Sequence, residues 1–276
     1  MVPSSEHEPS RFAFGENWKA FLGSLDEPRI EQAQRSLKER LGCASLSGQR
    51  FLDLGSGSGL FSLAAHRLGA EVVSIDYDEG CVACTRELKK RFGKSESQWV
   101  CHQGSALDRE WIESFGTFDA VYSWGVLHHT GNMSEAIAIA ADRTKHHGQY
   151  FIAIYNDQGG ASRRWLGIKR TYHRLPSWGR PAFVAGVAGM YESKFALARL
   201  LQGQNPLPFQ DWKAKRRDRG MSVWHDWVDW VGGLPFEVAT PERIIVPLKQ
   251  RGFVLENLKT VGNGWGCNEY VFRRVD

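Results

Sequence analysis

The stretch Phe51-Leu52-Asp53-Leu54-Gly55-Ser56-Gly57-Ser58-Gly59 sets an acid two residues ahead of three alternating glycines. Such glycines let the main chain turn sharply and let a ligand approach where a Cβ would collide. A helix starting at the turn would aim its first amides at that ligand and favour a carboxylate or a phosphate. Asp76 follows Gly55 by 21 residues. An acid ending the next strand at that distance can accept hydrogen bonds from a ribose diol. Together these residues predict an adenosine-bearing ligand. A dinucleotide fingerprint requires GxGxxG, whereas the third glycine here arrives one residue early and Leu60 holds the dinucleotide position. Asp53 would also repel a pyrophosphate, and suits a ligand that carries an ammonium and a sulfonium.

Further along, Ser123-Trp124-Gly125-Val126-Leu127-His128-His129 brings two imidazoles together. An imidazole titrates near neutral pH and can remove a proton from an acceptor. His128 is the first candidate base and His129 the second; the alternative is that one of them caps or packs against the next helix. Tyr155, Asn156 and Asp157 stand where a later strand ends, and His225 and Asp226 lie in WHDWVDW. That last run reads more readily as an amphipathic helix packing its tryptophans than as a catalytic element. Cys81 and Cys84 form a lone CxxC. With no second pair to complete four ligands, chance adjacency on one helix face is the better reading.

The elements that must position these residues alternate. Asp26, Pro28, Ile30, Ala33, Leu37, Leu41 and Gly42 outline a capped N-terminal helix, preceded by the aromatic-rich RFAFGENWKAFL of 11–22. Strands are predicted at Arg50–Leu54, Glu71–Asp76, Gln98–Gln103, Phe118–Ser123 and Gln149–Tyr155. Helices are predicted at about Leu60–Leu68, Glu79–Arg91 and Met133–His147. Strands separated by helices of this length pair in parallel through crossovers. The alternation stops at Asn156 and resumes with Thr240-Pro241-Glu242, a strong helix start. Two strands, Phe253–Val261 and Asn268–Arg274, then follow. The link VGNGWG is too short for a crossover helix, so they should be antiparallel neighbours.

The sequence resembles the class I S-adenosylmethionine-dependent methyltransferases in DLGSGSG at Asp53–Gly59, in Asp76, and in FDAVYSWGVLHH from Phe118 to His129. The resemblance covers about Gln49 to Asn156 and the terminal strand pair. It implies a seven-stranded, mostly parallel, doubly wound α/β sheet of Rossmann-like type, ordered 3-2-1-4-5-7-6. It further implies a cofactor site of Asp53, Gly55, Ser56, Gly57, Gly59, Asp76, Tyr77, Ser105, Ala106, Ser123 and Trp124. In this site the glycine loop holds the methionine part and the acid after the second strand holds the ribose. The segment after the third strand flanks adenine, and many members carry an acid where Ser105 stands. Catalysis would fall to His128, His129 or Tyr155, with S-adenosylmethionine as donor and S-adenosylhomocysteine as product. Similar ubiquinone-pathway O-methyltransferases bind a metal through acids at positions occupied here by Gly125 and His128, so no metal is expected.

Three segments follow from this reading: an N-terminal helical cap (1–48), the core (49–156 and 236–276), and a helical insertion (157–235) acting as an acceptor lid. The insertion concentrates charge. Residues 157–233 hold thirteen Lys or Arg against six Asp or Glu, a balance of +7 in a chain whose net charge is +4. One basic cluster is Arg163, Arg164, Lys169, Arg170 and Arg174; another is Lys213, Lys215, Arg216, Arg217 and Arg219. The acceptor is expected to be a small molecule, a glycan or a lipid-linked compound, methylated on O or N. Docking on an anionic membrane surface is the second reading. RNA comes last, for want of a separate binding module. A non-catalytic cofactor-binding protein is the remaining alternative. Five scattered cysteines do not suggest a disulfide framework. No signal peptide and no spanning helix is expected, and the location is read as cytoplasmic, with peripheral attachment to the inner face of a membrane as the variant.

Overall fold

The computed structural model describes residues 25–93, 99–208, 212 and 223–276. The first ten residues, the aromatic stretch 11–22, Gln98 and the basic cluster from Lys213 to Arg219 lie outside the described residues, as does the side chain of His225.

Helix α1 (Glu27–Leu41) forms where its signals stand. The Asp26 carboxylate accepts from the Arg29 amide and Gly42 closes the other end in the left-handed region. A cap of this kind contributes about 1 kcal/mol. Ile30, Ala33, Leu37 and Leu41 recur at helical spacing and are buried. Strands β1 (Arg50–Leu54), β2 (Glu71–Asp76), β3 (Trp99–Gln103), β4 (Phe118–Trp124), β5 (Thr144–Tyr155), β6 (Phe253–Lys259) and β7 (Cys267–Arg274) form one sheet ordered 3-2-1-4-5-7-6. The first five pair in parallel, and β7 runs antiparallel to both β5 and β6.

Successive side chains on a strand face opposite sides, and the core divides accordingly. Leu52, Leu54, Val73 and Ile75 pack on one face, with helices α5 (Met133–Asp142) and α9 (Pro241–Gln250). Phe51, Val72, Tyr122 and Phe151 pack on the other, with α1 and α2 (Leu60–Arg67). Asp53, Ser74 and Tyr122 share one cross-strand row. Helix α3 (Glu79–Phe92) links β2 to β3, and a short α4 (Arg109–Glu113) that the sequence reading lacked links β3 to β4.

One junction differs from expectation by more than two residues. The helix predicted to run to His147 ends at Asp142, and β5 starts at Thr144 rather than Gln149. The cause is non-local. Thr144 is fully buried and pairs with Phe118, whose amide donates to the Arg143 carbonyl at 2.8 Å. Two steps along β4 (Phe118 to Ala120) are then matched by five along β5 (Thr144 to Gln149), so a bulge absorbs the extra residues. His147 within it has φ 61°.

The described residues fall into two compact units, Gly159–Pro235 and a sheet unit of 25–158 with Phe236–Asp276. The smaller unit contains α6 (Gly160–Arg174), α7 (Arg180–Leu201) and α8 (Val223–Gly232). In it the buried Lys169 ammonium donates to the Trp230 carbonyl at 2.5 Å, and a His173 ring nitrogen lies 2.6 Å from the Gly232 carbonyl. Two residues one turn apart on α6 thus meet carbonyls at the end of α8, which have no partner within that helix. Burial pulls the Lys169 ammonium down to about 7.

Candidate functional site

Every residue of the predicted cofactor site lies in β1, β2 and β4 or just beyond the carboxyl ends of β1–β4, the edge where open α/β sheets bind ligands. Leaving β1, the chain turns through Gly55 (φ 90°), Gly57 (φ 54°) and Gly59 (φ 82°) before α2 begins at Leu60. Two of these positions are closed to any larger residue. A Cβ on Gly55 would fall 2.3 Å from a Val126 methyl, and one on Gly59 would fall 2.9 Å from Thr85. Amides of Gly55 and Ser56 both donate to the Ile75 carbonyl, at 2.7 and 3.1 Å. The Ser56 hydroxyl lies 3.0 Å from that of Thr85.

Asp76 is tied into the same turn. One of its carboxylate oxygens accepts the Gly57 amide at 2.8 Å and the other the Asp78 amide at 2.9 Å. Burial raises its carboxyl to about 6, against the lowering effect of those two amides. Asp53 lies deeper, 1% exposed, on the α2 side of the sheet. The Ser62 hydroxyl donates to it at 2.5 Å. Burial lifts Asp53 to about 7; Ser62 lowers it and the charge of Asp76 raises it further. Two carboxylates therefore converge beneath one glycine hinge, both holding protons more tightly than an ordinary acid does.

Tyr77, just past β2, is 48% exposed, and its carbonyl accepts from the Gln103 side chain. The Gly104 amide donates to the Asp76 carbonyl, bringing the half-buried Ser105 and Ala106 to the neighbouring strand end. Ser105 turns its hydroxyl to the Leu107 amide at 3.2 Å, and Ala106 packs on the core. At the end of β4, Trp124 is 40% exposed. Ser123 is placed differently: fully buried, it donates its hydroxyl to the Leu54 carbonyl at 2.6 Å and ties β4 to β1.

Val126, against Gly55, brings the segment after β4 to the hinge. Residues Leu127–His129 form a single 3₁₀ turn there. His128 is fully buried, and its Nδ1 accepts the Tyr155 amide at 3.4 Å. An accepting Nδ1 leaves the proton of a neutral ring on Nε2. Its ring lies 3.9 Å from that of Tyr155 and 4.5 Å from that of His129, centroid to centroid. His129 and Tyr155 are half-buried and meet edge to face at 5.4 Å. The three predicted catalytic residues thus form one aromatic cluster, with His128 innermost.

The sequence reading missed what holds this cluster. The Glu237 amide donates to the His128 carbonyl at 3.0 Å, while the Glu237 carboxylate accepts the Met133 amide at 2.9 Å, at the start of α5. The Phe236 ring packs on Tyr155 at 5.6 Å. Ala239 exchanges backbone hydrogen bonds with Tyr155 and Asp157. Asn156 accepts from the buried Asn268 and donates to the Gly262 carbonyl, anchoring the VGNGWG loop beside the end of β5. None of these contacts is local, and no spacing rule would have found them. Among the described residues no group of three or more His, Cys, Asp or Glu is placed to hold a metal ion.

Residues 25–205 match the family described as "Methyltransferase domain". The chain belongs to that family. Its strand order and single reversed strand are those of the class I S-adenosylmethionine-dependent members. Over 111 residues it is 32% identical to the ubiquinone biosynthesis O-methyltransferase of Xanthomonas oryzae pv. oryzae (strain PXO99A), covering 40% of this chain and 45% of that protein. The chain spans about half the length of the curated relatives it matches. Among solved structures, magnesium protoporphyrin IX methyltransferase from Synechocystis PCC 6803 with bound SAH superposes with a TM-score of 0.54 at 14% identity, over 94% of this chain and 93% of that one. N-methyltransferase NodS from Bradyrhizobium japonicum WM9, in complex with S-adenosyl-L-homocysteine, superposes at 0.50 and 14% identity, over 96% and 100%. At such identities the likeness is one of fold.

Proposed function

We propose that this methyltransferase-family chain binds S-adenosylmethionine at the glycine hinge and methylates an oxygen or nitrogen of a small-molecule acceptor. The observation that carries the reading is the convergence of Asp53 and Asp76 under a turn that admits no Cβ at Gly55 or Gly59. Two carboxylates suit a ligand with an ammonium and a sulfonium and disfavour a pyrophosphate. Asp76, at the tip of β2, is placed to accept from a ribose hydroxyl beside its two amide partners. Ser105 and Ala106 flank the adenine side, and exposed Tyr77 and Trp124 border the ligand. Ser123 supports the sheet beneath.

When bound, the cofactor supplies a methyl group on a sulfonium, whose departure leaves a neutral sulfide. Little charge then needs stabilising at sulfur. The chain's own task is to align the acceptor, exclude water and take the acceptor's proton. His129 and Tyr155, half-buried, are the groups in this cluster that can reach an acceptor. His128, fully buried and fixed to the Tyr155 amide, serves best as their positioning residue. Relatives named as O-methyltransferases and a neighbour named as an N-methyltransferase support an O or N acceptor atom. Residues 157–235 leave the sheet at the end of β5, beside this cluster in the chain, and we assign acceptor selection to them.

Calorimetric titration with S-adenosylmethionine, S-adenosylhomocysteine and NAD tests the cofactor. Micromolar binding of the first two without the third is expected, and the reverse would overturn the reading. An acceptor screen with methyl-labelled cofactor tests turnover. Cofactor binding with no turnover on any O or N acceptor would instead support a cofactor-sensing protein.

A further inference from the structure

The core beneath the glycine hinge contains a row of polar side chains. Asp53 of β1, Ser74 of β2 and Cys101 of β3 are cross-strand neighbours on the α2 side of the sheet. Trp99, two residues ahead of Cys101, faces the same side and reaches Ser74 diagonally. Helix α2 lowers Ser62 onto the row. Asp53, Ser62, Ser74 and Trp99 are each 1% exposed or less.

The hydrogen bonds of this row run one way. An indole N–H can only donate, and that of Trp99 goes to the Ser74 oxygen at 2.7 Å. An ionised carboxylate can only accept, and Asp53 takes the Ser62 hydroxyl at 2.5 Å, the length of a charge-assisted bond. Between these two fixed ends the Ser62 and Ser74 hydroxyls lie 2.6 Å apart. With the Ser62 proton given to Asp53, the Ser74 proton turns to the Ser62 oxygen. Its other neighbour, the Cys101 thiol, is a weak acceptor. Trp99 thus donates to Ser74, Ser74 to Ser62 and Ser62 to Asp53, and each bond polarises the next. Turning Ser62 round would put two donors on the Ser74 oxygen and take the hydroxyl from the carboxylate. The titratable groups around Asp53 are Asp76 past the hinge, Cys101 on β3 and Tyr122 on β4, and none of the three carries a positive charge. His66 of α2 packs on the Trp99 ring at 5.5 Å.

We propose that Ser74 and Trp99 are positioning residues of the proposed cofactor site: they act through Ser62 to hold the Asp53 carboxylate ready for a ligand's positive charge. This rests on the reading of the hinge as the S-adenosylmethionine site, and the two are separated by measuring Asp53 without ligand. Carbon-13 NMR of protein labelled at its aspartate carboxyls follows Asp53 through the signal lost in Asp53→Asn. Ser74→Ala and Trp99→Phe should each move the Asp53 midpoint upward, by about half a pH unit or more. Ser74→Thr, which keeps the hydroxyl, should restore the parent midpoint. S-adenosylmethionine affinity should follow in step, about three-fold weaker than the parent's at pH 6 and converging with it by pH 9. Ser74→Ala removes one oxygen and guards against misfolding of Trp99→Phe. A midpoint unmoved in either folded variant would overturn the role of that residue. A loss of affinity equal at every pH would overturn the proposal, because it marks general damage rather than action through Asp53. A parent that binds neither S-adenosylmethionine nor its product at any pH would overturn the cofactor reading instead, whatever the Asp53 midpoints do.

Discussion

Ser62 donates a 2.5 Å hydrogen bond to Asp53 and stands 2.6 Å from the Ser74 hydroxyl, which in turn accepts the Trp99 indole at 2.7 Å. A carboxyl is thereby held inside the sheet by the hydroxyl and the backbone amide of one residue, Ser62, with too little solvation to ionise readily. Its folded value, about 7, lies above its ordinary 3.8. The native state therefore binds the extra proton between those values. The stability this contributes is complete below about 4 and is lost as pH rises through 7. Asp53→Asn, which cannot ionise, should gain stability relative to the parent by about 2–3 kcal/mol between pH 5 and pH 8. Urea denaturation at the two pH values measures it. A difference independent of pH would mean that Asp53 titrates like a surface acid.

The same two carboxylates make the cofactor reading testable through protons. A cationic ligand favours ionised Asp53 and Asp76, so its binding should release protons near pH 6.5 and weaken as pH falls from 8 to 6. S-adenosylmethionine, with its sulfonium, should show a steeper pH dependence than the neutral sulfide product. Calorimetry in buffers of different ionisation enthalpy reads the release directly. Proton uptake on binding would mean that the two carboxylates do not face the ligand's positive charge. Asp76→Ala removes both the proposed ribose acceptor and the partner of the Gly57 amide, and should weaken either ligand by about ten-fold or more. Undiminished affinity in the folded variant would take Asp76 out of the site.

What was legible in the sequence was local. The Asp26 cap, the Gly42 stop, the alternation of the strands and the glycine turn each depend on residues within one element and its flanks. The terminal antiparallel pair followed from a loop too short to cross over. What was not legible depends on distant partners. Thr144 starts β5 early because it pairs with Phe118, and the helix read as reaching His147 gives way five residues sooner. The hydroxyl of Ser123 ties β4 to β1 through the Leu54 carbonyl, a bond between residues 69 positions apart. Glu237 meets the Met133 amide 104 residues away. Chemistry-bearing types at suggestive spacing pointed to the candidate site, and cross-strand contacts decided which way each side chain turned.

Gly55 offers a test of the hinge that is separable from ligand chemistry. Its φ of 90° and the 2.3 Å approach of Val126 impose two independent penalties on Gly55→Ala. Left-handed strain costs about 1–2 kcal/mol and overpacking about 1–3 kcal/mol. Val126→Ala removes the methyls at 2.3 and 2.4 Å but keeps the Cβ at 2.7 Å, so the double variant should regain part of the overpacking cost and none of the backbone strain. No recovery would mean that the close approach of the two segments is not what requires a glycine here.

The aromatic cluster yields the last prediction, and it turns on exposure. A general base has to touch the acceptor's proton, and contributes about 100-fold to 10,000-fold. His129 is half-buried, whereas His128 is fully buried with its Nδ1 engaged by the Tyr155 amide. With an acceptor found in the screen, His129→Ala should therefore lower kcat by about 100-fold or more and abolish the acidic limb of the kcat profile at saturating cofactor, with S-adenosylhomocysteine affinity unchanged. His128→Phe, which preserves the stacking on Tyr155, should keep that limb and lose far less rate. If the limb instead disappears with His128 and survives without His129, the buried histidine is the base, and the turn from Leu127 to His129 must open when the acceptor binds. Should both variants retain the limb, the proton goes to Tyr155 or directly to solvent, and Tyr155→Phe separates those two.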